Sequence, residues 1–189
     1  TYNTAVGDAA GASVTTGTNN TLIGGLAGDA ITTADNNVAV GYLSLSANTT
    51  GASNVALGHT ALASNTTGTQ NTAVGALAGD SITTGNNNTA LGYLALDGTD
   101  DGSSNVAVGY ASLRGNVGNS NTSVGNSALS STSNTASNNT AVGASALTAN
   151  TTGTQNVAVG SNALALNTTA SNNTAVGYAS LNANTTGTA

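Results

Sequence analysis

The sequence predicts an all-β chain wound as a parallel β-solenoid (a β-roll) of eleven coils of about 17 residues, a single repeat unit over residues 1–189. Three observations carry that reading. A run of the type Asn-Thr/Val-Ala-Val-Gly recurs eleven times, stepping by 17 residues except for one step of 16 and one of 18 that cancel around Asn121. The run is β-forming and is bounded by Asn and Gly, which favour bends. A copy this short cannot bury a core alone, so neighbouring copies must stack.

Composition removes the alternatives. The chain has no Pro, Cys, Met, Trp, Phe, Lys or Glu, and 4% of its residues are charged, against the ~25% of ordinary soluble domains. Low charge with many small polar residues also describes disordered segments. A disordered segment has no physical reason to hold Val and Gly in one phase through eleven copies. Repeated Gly, Asn and Thr disfavour helix.

Each Asn is position 1 of its copy. The ladder of Asn3, Asn20, Asn37, Asn54, Asn71, Asn88, Asn105, Asn121, Asn139, Asn156 and Asn173 is invariant. Stacked coils set these amides above one another, where they bond along the axis or to bend backbone. Positions 2–4 are the strand. Position 2 is Thr or Val, and position 3 is Ala in nine copies, with Leu22 and Ser123 as exceptions. Position 4 is aliphatic throughout: Val6, Ile23, Val40, Leu57, Val74, Leu91, Val108, Val124, Val142, Val159 and Val176. Strand alternation puts positions 2 and 4 on one side and position 3 on the other. The expectation is that position 4 points inward as the structural core, leaving an outward Ala strip smooth enough for another chain to lie against.

Position 5 is Gly in all eleven copies, expected to take positive φ or admit a close backbone. Position 9 is Leu in eight copies and Gly at Gly11, Gly28 and Gly79; in those three copies position 12 turns aliphatic, as Val14, Ile31 and Ile82. One large aliphatic group per coil is kept while its origin moves, which is volume conservation in a packed interior. Position 15 is mostly Gly and marks a second corner. Coils about 4.8 Å apart give a rod roughly 50 Å long.

The formal charge is −6, and Arg114 is the sole Lys or Arg. Phosphate neutralisation needs many such groups, so nucleic acid is excluded as a partner. An anionic membrane surface is excluded likewise, and no apolar run approaches the ~20 residues of a membrane helix. The chain opens with neither Met nor a signal peptide, which suggests a processed product or a window of a longer fibre. Thr1-Tyr2 and Thr188-Ala189 both fit positions 16 and 17, so the ends sit in register and are expected to continue or to stack end to end.

Asn-Thr-Ala-Val-Gly followed by x-x-Ala-Leu resembles the head repeats of trimeric autotransporter adhesins, and is similar to repeats of bacteriophage tail fibres and related bacterial surface fibres. The resemblance covers all eleven copies. It implies a homotrimer of β-rolls, extracellular, on a cell surface or on a virion, with Val6, Ile23, Val40 and their equivalents turned inward. The coil here is longer than that of the adhesins.

Candidate chemistry is sparse. His59, the sole His, stands at variable position 6 with no Cys, Lys or Glu to join it, so it reads as solvent-facing and no catalytic set can be built. A polysaccharide lyase or hydrolase needs acids and bases that these coils lack. Asp80, Asp97 and Arg114 share position 10 of successive coils, which predicts a surface ladder worth ~0–1 kcal/mol. Asp97-Gly-Thr-Asp-Asp-Gly102 resembles the start of a calcium loop and makes Asp97 and Asp101 the metal candidates; Val108 stands where such a loop ends in Glu, and an acidic bend is the competing reading. Tyr42, Tyr93, Tyr110 and Tyr178 share position 6, where they either stack on sugar rings of a surface glycan or cover neighbouring Ala and Leu. Asn48, Asn65, Asn150, Asn167 and Asn184 each begin an Asn-Thr-Thr sequon.

The expected function is therefore that of a non-enzymatic structural fibre segment of an adhesin, phage tail fibre or extracellular filament. It acts as a rigid spacer and attachment surface and self-associates as a homotrimer or end-to-end filament. The alternative is an ice-binding β-solenoid using Thr-Thr at positions 13 and 14, which eight copies carry.

Overall fold

The computed structural model describes residues 2–187 apart from 99–100, 116–117 and 132–133. Eleven three-residue strands, β1 (Thr4–Val6) to β11 (Thr174–Val176), form one parallel sheet in chain order, and the described residues form no helix. The fold is a β-solenoid with one strand per coil. Thr4 pairs with Thr21, Val106 with Thr122, and Thr122 with Thr140. The short and long steps are thus taken up outside the sheet, and the strand register passes through unbroken.

The strand faces the other way from the expectation. Position 3 is buried from Leu22 to Ala175, whereas position 4 lies on the outer side. Val6, Ile23, Leu57, Leu91 and Val176 are exposed; Val40, Val74, Val108, Val124, Val142 and Val159 are half-buried. None of these is core. The reason is the thinness of the coil. A Cβ built on Gly79 would lie 3.8 Å from the Ala73 Cβ, so the strand wall and the turn wall already meet at methyl contact. The turn wall contributes the large group: Leu45, Leu62, Leu96, Leu113, Leu129, Leu147 and Leu164 are buried. A second branched chain from the strand has no room, because overpacking costs roughly 1–3 kcal/mol. The outward Ala strip is accordingly an inward one.

The exchange between positions 9 and 12 is as expected. Ile31 and Ile82 are buried, and a Cβ on Gly28 or Gly79 would meet their Cδ1 atoms at 2.8 and 3.0 Å. Leu22, the one large residue at position 3, follows the same rule. It sits against Gly28, and a Cβ on Gly11 would meet its Cδ1 at 2.7 Å. Ser123 is accommodated by polarity, its hydroxyl lying 2.7 Å from that of Ser112 and donating to the Ala128 carbonyl at 2.8 Å.

Two sets of buried amides hold the corners. From Asn3 to Asn156 each position-1 Asn accepts at Oδ1 from the backbone N–H of the next Asn, as Asn20 does from Asn37 and Asn71 from Asn88, both at 2.9 Å. In most coils its Nδ2 donates across the coil to the position-15 carbonyl, for example Asn54 to Gly68 at 2.8 Å and Asn71 to Gly85 at 2.7 Å. The position-12 Asn is also inside: Asn48 Nδ2 donates to the Gly51 carbonyl at 2.8 Å and its Oδ1 accepts from the Gly51 N–H at 3.0 Å. These bonds satisfy backbone groups that bends would otherwise leave unpaired in the interior.

The corners also depend on left-handed backbone. Position 5 Gly takes φ from 124° to 143°. Positions 7, 9 and 17 are left-handed too, mostly without Gly: in the third coil Leu43, Leu45 and Ser53 have φ of 56°, 52° and 60°. A left-handed L-residue costs about 1–2 kcal/mol, while full burial of a Leu side chain gives about 1.5–3 kcal/mol. Leu at position 9 is therefore tolerated where its side chain fills the core. Gly appears there only where position 12 supplies the aliphatic group.

Candidate functional site

With Ala inside, positions 2 and 4 form an outward sheet face. Position 2 contributes seven Thr and four Val, and position 4 eleven aliphatic residues. The face runs the full length of the sheet, from Thr4 and Val6 to Thr174 and Val176. Away from the end coils its barest aliphatic residues are Leu57 at 45% exposure and Leu91 at 46%. An uninterrupted aliphatic strip of this length is the kind of surface that marks an interaction site. Hydrophobicity alone would place those side chains in the core.

Position 6 forms a ridge just past the Gly corner. Tyr42, Tyr93, Tyr110 and Tyr178 are exposed there, as is His59. Tyr42 stacks on His59 and Tyr93 on Tyr110. Tyr42 also covers its neighbour, since a Cβ on Gly25 would touch Tyr42 Cδ2 at 3.4 Å. Covering and exposure therefore coexist on one ring. The His59 ring nitrogen Nδ1 lies 3.4 Å from Thr60 Oγ1.

Position 10 carries an ion pair. Arg114 Nε lies 3.3 Å from Asp97 Oδ2, the contact that the spacing predicts. Asp80 stands one coil earlier, half-buried. Burial, then the adjoining Asp97 carboxyl, push its pKa from the usual 3.8 to about 6. A carboxyl with a raised folded pKa adds stability when protonated, fully below the unfolded value of 3.8 and lost as pH rises through about 6. Asp101 shifts the opposite way, lowered by hydrogen bonds from the Thr83 hydroxyl and then Thr84, so its contribution is lost as pH falls. Asp80→Asn is expected to stabilise the chain at pH 7 by about 1 kcal/mol, after allowance for screening of a partly exposed group. Chemical denaturation between pH 4 and 7 checks this, because the variant loses the rise in stability that the native chain gains on acidification through pH 6.

Each of the two calcium candidates has another partner. Asp97 is engaged by Arg114, and Asp101 accepts from Thr83 and Thr84. Among the described residues no three His, Cys, Asp or Glu side chains gather as a metal site. Thr99 and Asp100 of that motif lie outside the described residues.

Two further sequence features turn out to face inward or toward backbone. Position-13 Thr hydroxyls donate to the carbonyl of the next coil, as Thr32 does to Thr49 and Thr49 to Thr66, both at 3.1 Å. Away from the end coils, where Thr15 and Thr185 are also exposed, only position 14 of each Thr pair, such as Thr33, Thr50 and Thr67, is exposed. The sequon residues Asn48, Asn65, Asn150 and Asn167 are buried, with each Nδ2 donating to its own turn, so a glycan has no access to those amides in the folded chain.

The sequence matches no protein-family model, no curated protein and no solved structure.

Proposed function

We propose that this chain is a structural fibre segment that self-associates through its sheet face, serving as a rigid spacer and attachment surface in a homotrimeric surface fibre. The observation that carries the reading is the continuous outward aliphatic strip at position 4, flanked by Thr and Val at position 2. In water such a strip is favourably covered, at roughly 25 cal/mol per Å² of apolar surface removed. A second copy supplies the matching strip at the same coil pitch. Three rods can bring three such faces to one axis, which agrees with the resemblance of the repeat to trimeric adhesin heads and phage fibres. An extracellular or virion location follows from that same resemblance.

The test is Leu57→Asp with Leu91→Asp. Sedimentation should show the native chain as a trimer and the double variant as a single 17.8 kDa chain with unchanged circular dichroism. A native chain that stays single at high concentration contradicts the reading.

Ice binding keeps one favourable observation, though on a different face. Positions 2 and 4 set β-branched side chains on a regular sheet at a pitch of about 4.8 Å. Ile23, Leu57 and Leu91 interrupt its flatness. Ice binding needs that face bare and lateral association covers it, so thermal hysteresis of the native oligomer separates the two.

A further inference from the structure

Over coils three to seven the position-6 ridge reads Tyr42, His59, Ala76, Tyr93, Tyr110. The Tyr42 and His59 rings stack with centroids 5.7 Å apart and planes inclined by 27°. Tyr93 and Tyr110 stack at 5.8 Å and 25°. Each pair spans one coil pitch. Between the pairs stands a rung that carries only the methyl group of Ala76, so His59 and Tyr93 are two pitches apart, about 9.6 Å.

We infer that the missing rung is a binding slot for an uncharged pyranose ring, held between His59 and Tyr93 above Ala76. Thickness selects the ligand. A planar ring in face contact on both sides needs about 7–8 Å, twice the optimal carbon–carbon separation. The slot is wider than that, and a chair-form sugar is thicker than a planar ring. Chemistry agrees. A pyranose presents C–H groups on both faces, which suit aromatic faces, and hydroxyls at its edge, which suit water. The flanking rings have surface to offer, since Tyr93 remains 46% exposed even while stacked on Tyr110. Thr60 Oγ1, beside the His59 ring, adds a hydrogen-bonding edge. No Asp, Glu, Lys or Arg occupies position 6 or 7 in these coils, so the slot carries no fixed charge to select a charged sugar. The slot lies on the ridge and not on the sheet face, and the inference does not rest on lateral association.

The test titrates the full chain with methyl pyranosides and neutral linear hexose oligosaccharides, following the His59 and Tyr93 ring resonances. Saturable shifts are expected at both rings and not at Tyr178, whose neighbour across the coil is Ser161. Ala76→Tyr fills the rung and should weaken binding by at least about tenfold. It should fold, because position 6 already carries Tyr in four other coils. The same change at Ala144→Tyr, outside the gap, should leave affinity unaltered. Repeating the titration on the Leu57→Asp/Leu91→Asp chain keeps a failed slot distinct from a failed assembly. The inference is overturned if no saccharide moves His59 and Tyr93, if Ala76→Tyr binds as the native chain does, or if N-acetyltyrosine amide saturates the slot where sugars do not. The last result would assign it to an aromatic side chain of a protein partner.

Discussion

Gly75→Ala is expected to destabilise the chain by about 3–5 kcal/mol, the range reserved for a strained backbone combined with a buried clash. Gly75 has φ of 135°, where an L side chain is strained by roughly 1–3 kcal/mol. The added methyl would also sit 2.6 Å from the Gly92 carbonyl oxygen of the next coil. That oxygen belongs to backbone and cannot rotate away. Relief requires the two coils to separate, which opposes the bond from the Gly92 N–H to the Val74 carbonyl at 2.8 Å. Gly177 gives the control. It has φ of 124° and nothing within 4 Å of its added Cβ, so Gly177→Ala should show the strain alone. Guanidinium unfolding of both variants separates the contributions. Equal losses at the two sites would mean that close coil contact plays no part.

Asn71→Ala is expected to cost about 2–6 kcal/mol, since it leaves two buried backbone groups unpaired at roughly 1–3 kcal/mol each. The groups are the Asn88 N–H, which donates to Asn71 Oδ1 at 2.9 Å, and the Gly85 carbonyl, which accepts from Asn71 Nδ2 at 2.7 Å. Asn71→Asp distinguishes ladder chemistry from simple loss of volume. A carboxylate keeps the acceptor for Asn88 but faces the Gly85 carbonyl with negative charge, whereas the protonated acid can donate to it. Burial raises the pKa of such a carboxyl. Its stability should therefore be greatest in acid and fall as pH rises toward neutrality, and by more than the Asp80 contribution that Asn71→Ala shares with the native chain. Thermal unfolding at pH 4 and pH 7 reads the difference.

Much of this architecture is written in the repeat. The coil length follows from the spacing of the Asn residues. The amide ladder follows from their invariance, and the movable aliphatic group from the exchange of Leu45 and its equivalents with Ile31 and Ile82. The facing of the strand was less legible, because hydrophobicity alone ranks Val above Ala as the inward residue. Volume decides instead, and the sequence holds a trace of it. Leu22, the large exception at position 3, coincides with Gly at position 9 in its own coil and the preceding one. Changes at position 4, such as Leu57 and Leu91, are matched by no compensating change. Only the first behaviour is that of a residue inside a packed wall.

The left-handed residues were visible in part. Gly11, Gly28 and Gly79 mark position 9 as a site where Gly is tolerated, but Leu in the other eight copies hides its φ. Position 7 gives no such sign, since Leu43 and Leu77 adopt φ of 56° and 58° without any Gly in that column. The stacked repeat imposes that conformation, and local preference does not announce it. The ring pairs on the ridge follow from the shared phase of Tyr42, His59, Tyr93 and Tyr110. Their importance to a ligand rests on the gap at Ala76, which becomes a feature only once the coil pitch is known.

Thiol labelling tests the inversion of the strand most directly, because the chain contains no cysteine of its own. In the dispersed Leu57→Asp/Leu91→Asp background, Val74→Cys should react with a maleimide in the folded state, and Ala73→Cys only after unfolding. Rapid labelling at residue 73 with protection at residue 74 would contradict an interior lined by alanine and would return the aliphatic column to the core.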